Sequence, residues 1–223
     1  MKVVIHDSHI NLDNKNYFCF DALVQVIGAY GDKRGLEPNP AKHGINKHGE
    51  IGQAAFNGRP KIVHSSGPFD YTIDSSVKGG FDAAFKAGLK VLTLDGQANV
   101  GAYAGKQDQL RFMLFDVDLD PMASVISGAG VKNKIKDIGN DARVVHRVIV
   151  AIDGKLSEYL GGGASFDVKA GAGPLGIEVE VDAKTHSKIT LELGDETCLG
   201  YLLMKFDWDH DRVVNPKDDV WSI

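Results

Sequence analysis

From Phe81 the odd positions read Phe81, Ala83, Phe85, Ala87, Leu89 and Val91, while Asp82, Lys86, Gly88 and Lys90 stand between them. An apolar residue at every second position marks a strand with one buried face. Asp95-Gly96 follows, a tight-turn dipeptide. Beyond it Ala98, Val100, Ala102 and Ala104 alternate with Gln97, Asn99, Gly101 and Tyr103. The pattern predicts a long hairpin. It returns later: Phe166, Val168, Ala170 and Ala172 alternate with Ser165, Asp167, Lys169 and Gly171, and residues 171–176 supply a turn. The return strand sets Ile177, Val179, Val181 and Ala183 against Glu178, Glu180, Asp182 and Lys184, and the same odd face runs on through Ile189, Leu191 and Leu193.

The rest of the chain is less regular. Met1 to Ile10 reads as a short strand or an amphipathic start, and the apolar run Phe20 to Ala29 suits a helix or a buried strand, the helix being preferred. Tyr30 to Gly49, punctuated by Gly31, Gly35, Pro38, Pro40 and Gly44, reads as a long loop. A strand near Lys61 to His64 stops at Ser65-Ser66-Gly67-Pro68, and Leu110 to Leu119 is a more fully apolar strand. Pro121 to Ile138 reads as a helix: Pro121 suits a first turn, Val131, Ile135 and Ile138 share a face, and Gly139-Asn140 closes it. Val144, Val148, Val150 and Ile152 open a strand running to Tyr159, and Leu199 to Phe206 is another. The stretch from Asp207 to Ile223 reads as an acidic, irregular tail. Strands outnumber helices, and the helices fall between hairpins. The predicted fold class is α+β: a twisted, mainly antiparallel sheet with inserted helices and two long amphipathic hairpins.

Composition narrows the function classes. The formal net charge of −5 argues against the basic face a nucleic-acid partner requires. Cys19 and Cys198 sit among apolar neighbours and read as buried thiols. No apolar run follows Met1, and none approaches the roughly 20 residues of a membrane helix, so the cytosol is the expected compartment. Strands that cross a membrane leave a much weaker trace. The histidines form no zinc pattern with Cys or Glu. Asp209, His210 and Asp211 are the best metal fragment, and a solvated polar segment explains them as well. No serine stands in a Gly-x-Ser-x-Gly elbow, and the triple glycine 161–163 precedes a strand rather than a helix. The chain therefore reads as a non-enzyme, with no catalytic residues, no metal and no cofactor.

The hairpins remain. A strand over residues 81–91 would reach ~36 Å, enough to cross a hydrocarbon core of about 30 Å. The face beyond each turn is built from small residues, among them Ala98, Ala102, Ala170 and Ala183, which pack a core weakly. With these features in place, the stretch from Phe69 to Phe206 resembles the pore-forming domain of the gasdermin family. Phe69-Asp70-Tyr71 resembles the entry to that family's first membrane hairpin, and Leu94 to Gly101 its turn and return strand. Phe112 to Pro121, with Val117-Asp118-Leu119-Asp120-Pro121, resembles the strand ahead of the next helix. Asn140 to Ala151 resembles the start of the second hairpin, and Ser187 to Leu193 its close.

The resemblance implies a protein that waits in the cytoplasm and, once activated, assembles at the cell membrane into a large ring. Each protomer gives two hairpins to a closed barrel and so permeabilises the membrane, with cell death as the outcome. Phe81, Phe85, Leu89, Val91, Ile177, Val179 and Val181 would face lipid. Asp82, Lys86, Lys90, Glu178, Glu180 and Asp182 would face the aqueous lumen. The implied partners are membrane lipids, further copies of the chain, and either an activating protease or a variant partner protein. Residues 1–206 would form the pore-forming domain, and residues 207–223 a short inhibitory tail released by cleavage at Phe206 and Asp207. The chain departs from the family in having no room for the large inhibitory domain of animal members. Its first cysteine, Cys19, also lies far from the near-terminal position that bacterial members acylate. The competing reading is a soluble β-rich binding or structural module.

Overall fold

The computed structural model describes residues 2–6, 8–19, 21–22, 25–35, 43–52, 55–56, 63–74, 90–93, 96–99, 110–161, 165–170, 176–182, 188–192 and 196–221. A 12-stranded mixed sheet dominates, and most of its pairings are antiparallel. Its strands are β1 (Lys2–Ile5), β2 (His9–Leu12), β3 (Lys15–Phe18), β4 (Ala29–Arg34), β5 (Gly44–Glu50), β6 (Val63–Ile73), β7 (Lys90–Thr93), β8 (Gly96–Asn99), β9 (Arg111–Val117), β10 (Ala142–Ile152), β14 (Cys198–Asp209) and β15 (Arg212–Asp219). A separate three-stranded meander holds β11 (Ser165–Ala170), β12 (Gly176–Asp182) and β13 (Lys188–Glu192). The helices are α1 (Leu119–Gly128), α2 (Lys132–Asp137) and α3 (Gly154–Gly161). The α+β expectation holds at this level.

The sheet order runs β15-β14-β3-β2-β1-β6-β9-β10-β4-β5, and β14 also pairs with β10. That extra pairing closes β14, β3, β2, β1, β6, β9 and β10 into a ring. One of its joints, β1 to β6, is parallel. Alternation along the strands gives the ring two apolar faces. Val3, Ile10, Tyr17, Phe69, Phe112, Ile149 and Leu202 form one cluster, to which every ring strand contributes and no helix does. It fills the ring. The second cluster joins the opposite face to the helices, through Met122, Val125, Ile126, Ile135, Val148 and Leu203. In α1 the buried Met122, Ala123, Val125 and Ile126 follow helical spacing. Gly128 and Gly130 break the predicted single helix into α1 and α2, with Ala129 extended between them.

Several sequence expectations need correction. The apolar run before Ala29 is not helical over residues 25–28. It is buried because its main chain lies against the sheet: Gly28 N donates to Val145 O, and Ile51 N donates to Gly28 O. Gly28 has a φ of 88°, which turns the chain into β4. The predicted loop from Tyr30 to Gly49 contains the antiparallel pair β4–β5. Gly31 serves close strand approach rather than a turn: a Cβ there would stand 1.8 Å from Asn46 O. The strand near residue 63 does not stop at Pro68. It continues to Ile73, slipping register between Ser66 and Phe69.

The strand expected to reach Tyr159 ends at Ile152. Asp153 then caps α3, its Oδ1 accepting from Leu156 N at 2.7 Å. The odd face from Ile177 to Leu191 is two antiparallel strands, β12 and β13, not one. Residues 207–219 are not irregular: they complete β14 and form β15, paired in a hairpin. Cys198 is buried as expected, and burial pushes its thiol pKa up; Cys19 is only half-buried.

Candidate functional site: the common end of four strands

Four strands, β6, β9, β10 and β14, are consecutive neighbours in the ring, and each joint between them is antiparallel. Near one end of this group Phe69 pairs with Phe112, Ala151 with Phe112, Ile152 with Arg111, and Val150 with Cys198. The chain leaves β6 after Ile73 and re-enters at β9 with Arg111. It leaves β10 after Ile152 and re-enters at β14 with Cys198. Two neighbouring strand pairs thus have their connections at the same end. Residues 74–110 form one insert, and residues 153–197 the other. The inserts also approach each other, since β13 lies beside β8, and β11 of the second lies beside β6.

The first insert contains β7 and β8, paired from Lys90↔Asn99 to Thr93↔Gly96. Of the predicted Asp95-Gly96 turn, Gly96 opens β8, and Asp95 lies outside the described residues. Among the predicted site residues of this insert, Phe81, Asp82, Phe85, Lys86 and Leu89 lie outside the described residues. Val91 is wholly buried within the ring core, and Leu92 is wholly buried in the other cluster. Lys90 Nζ is 3.0 Å from Glu196 Oε2, and Lys90 N donates to Glu196 O at 2.6 Å.

The second insert contains α3 and the meander. Its register pairs Ile177 with Ala170 and Leu191, Val179 with Val168 and Ile189, and Val181 with Phe166. Directly paired residues belong to the same face of a sheet. The apolar rows of the three strands therefore coincide. Glu178, Glu180 and Asp182 occupy the alternate row, with Lys169 and Thr190 opposite Glu178 and Lys188 opposite Glu180.

The other end of β10 is tied differently. His146 is completely buried; its Nδ1 lies 3.0 Å from Val117 O, and its Nε2 lies 3.0 Å from Asp218 Oδ1. A carbonyl can only accept, so Nδ1 donates, while Nε2 and the carboxylate stand at ion-pair distance. Lys15 donates to Asp218, and Lys33 and Arg143 both donate to Asp219. Burial alone would raise the pKa of both carboxylates. The bonds from His146 and Lys15 to Asp218, and from Lys33 and Arg143 to Asp219, outweigh burial and hold both below the usual carboxylate range. Sequence reasoning passed over this cluster. Its signal was Arg143 and His146-Arg147, three polar residues interrupting an otherwise apolar strand.

Phe206 is buried and packs edge-on to Trp208, while Asp207 is exposed and accepts from Asn215 Nδ2. Both lie inside the paired strand β14. A protease needs an extended, accessible segment, so the β14–β15 hairpin must open before the chain is cut there. His210 is almost fully exposed, 3.9 Å from Asp209. No metal-ligand cluster occurs among the described residues. His6 stacks on His9 at 4.4 Å, and His9 stacks on Trp221 at 4.2 Å. His6 also faces Asp74, the first residue of the first insert, at 3.6 Å. Burial and the neighbouring His6 bring the His9 pKa down to about 4. A cleft of about 450 Å³ separates α1 from β15, with Asp120 and Arg212 in its walls and no histidine or cysteine in its lining.

Compared with known proteins, the chain matches no family model, and no curated protein or solved structure resembles it at a significant level.

Proposed function

We propose that this chain is a gasdermin-like pore-forming protein, not an enzyme, whose two inserts become membrane-crossing hairpins. The observation that carries the reading is the common end of β6, β9, β10 and β14. Inserts that straighten there would prolong four adjacent antiparallel strands without breaking the ring. Each crossing strand needs about 9–11 residues, and residues 74–110 and 153–197 supply enough for two strands apiece. Lipid offers no hydrogen-bond partners, so the prolonged strands must pair with those of neighbouring copies and close into a barrel. Phe81, Phe85, Leu89, Val91, Ile177, Val179 and Val181 then face lipid. Asp82, Lys86, Lys90, Glu178, Glu180 and Asp182 line the lumen. The protein rests in the cytoplasm and acts at the cell membrane. Its trigger is either cleavage near Phe206 or pairing with a variant partner chain.

Dye release from anionic and neutral vesicles tests the reading. The whole chain, or a chain cut after Phe206, releases dye and leaves large rings on the vesicles. Intact vesicles with both forms across all compositions overturn it. A static, soluble β-rich binding module is the second reading. It is favoured by the complete burial of Val91 and Leu92, which an insert leaving the sheet would have to expose. Each such side chain costs about 1.5–3 kcal/mol to return to water.

A further inference from the structure

We infer that the junction around Asp153 locks the two inserts into one cooperative unit, so that neither opens alone. The inference rests on the reading that the inserts are the moving parts, and concerns how their movement is controlled. Asp153 is buried at the point where β10 ends. Its main-chain N donates to Leu92 O at 3.0 Å, holding the first insert against the end of β10. Its main-chain O accepts from Ser157 N at 2.9 Å, and its Oδ1 accepts from Leu156 N at 2.7 Å, so the same residue starts α3 in the second insert. Ile152 pairs with Leu92 in parallel at this point, which places β7 on the edge of β10 that β14 occupies further back. Lys90 closes the junction from the other side. It meets Glu196, the last turn before β14, through both its main chain and its ammonium group.

The consequence is geometric. If β7 lifts, Leu92 O and the Lys90–Glu196 contacts are lost together, and both roots of the second insert lose a partner. If α3 unwinds from its N-terminus, the Asp153 carboxylate loses the amide that orients it, and the peptide that holds Leu92 is freed to turn. Contacts shared by two segments make their opening free energies non-additive.

Native-state hydrogen exchange on the full chain reads this directly. Asp153→Ala removes the cap, and α3 amides exchange about fivefold faster. The amides of β7 and of Asp153's position accelerate by the same factor, whereas β2 and β9 do not change. Asp153→Asn, which keeps a capping oxygen, restores both regions. Glu196→Lys sets two ammonium groups together and, entering from the opposite side, speeds exchange in β7 and α3 alike. Acceleration of α3 without β7 in the first variant, or of β7 without α3 in the last, overturns the lock. Vesicle leakage by the unaltered chain is scored separately. Common acceleration without leakage keeps the lock and removes the pore. Leakage with independent acceleration keeps the pore and removes the lock.

Discussion

The two ends of β10 are held by different physics. Toward its start, Arg143 reaches the buried Asp219 of β15 and His146 the half-buried Asp218, with Lys15 and Lys33 arriving from β3 and β4. Ions withdrawn from water are cheap to keep only as a complete set, so this end is costly to open in part. Toward its finish, Ile152 and Asp153 meet the inserts through main-chain hydrogen bonds, a helix cap and the Lys90–Glu196 pair, which is still reached by water. Each of those contacts is small, and they are lost together. A strand anchored at one end and lightly fastened at the other can stay in place while its continuation moves. That asymmetry makes the insert end the site of change and the β15 end the support.

The largest expected effect falls on the insert side. Val179→Arg puts a charge on a position assigned to lipid, at a cost of about 2–4 kcal/mol per strand near the bilayer centre, and dye release should fall below detection. Urea unfolding of the monomer should be nearly unchanged; undiminished leakage would break the face assignment. On the anchored side, Asp219→Ala strands Arg143 and Lys33 and should cost about 3–5 kcal/mol in urea unfolding. A loss no larger than that of Lys90→Ala would erase the contrast between the ends. Gly31→Ala drives a Cβ into the main chain of Asn46 and should cost about 1–3 kcal/mol in the same assay, with the loss confined to the β4–β5 flank.

Acid sharpens the comparison further. Asp218 and Asp219 have pKa values held down in the folded chain. The stability they give is therefore fully present above the ordinary carboxylate value of about 4 and is lost as pH falls toward their folded values. Melting temperature should drop steeply below about pH 4. Asp218→Asn, already lacking one of the two carboxylates, should show a shallower drop; an unaltered slope would mean that the cluster does not set the acid limit. The smallest effect is that of Lys90→Ala. Its side chain and that of Glu196 are 32% and 47% exposed, so the pair should contribute under about 1 kcal/mol to global unfolding.

Much of the architecture could be read along the chain, because alternation carries a strand's buried face in the residue order itself. The strand over Arg111–Val117 and the paired rows of β11 and β12 follow it closely. What could not be read was set by distant partners. Gly31 looks like a loop residue until Asn46 is brought against it. Phe20 to Ala29 looks helical, but the main chain of Gly28 bonds to Val145 and Ile51, partners that no local pattern announces. The boundary at Asp153 was legible in principle, as a capping residue before Gly154, but the apolar run ahead of it masked the change of period. The candidate site was less legible than the fold. The alternating segments could be marked, yet their shared departure from four adjacent strands depends on sheet order, and the ion cluster depends on β15 folding back onto β10.

The ring stack joining Trp221, His9 and His6 gives this protein an optical reporter of its own. An indole's emission depends on the rings it touches, and the His6 end of the stack touches Asp74, where the first insert departs from β6. Any event that draws Asp74 away would loosen the stack and change the light from Trp221, so in a chain carrying Trp208→Phe the first movement at that root could be timed by stopped-flow fluorescence without attaching a dye.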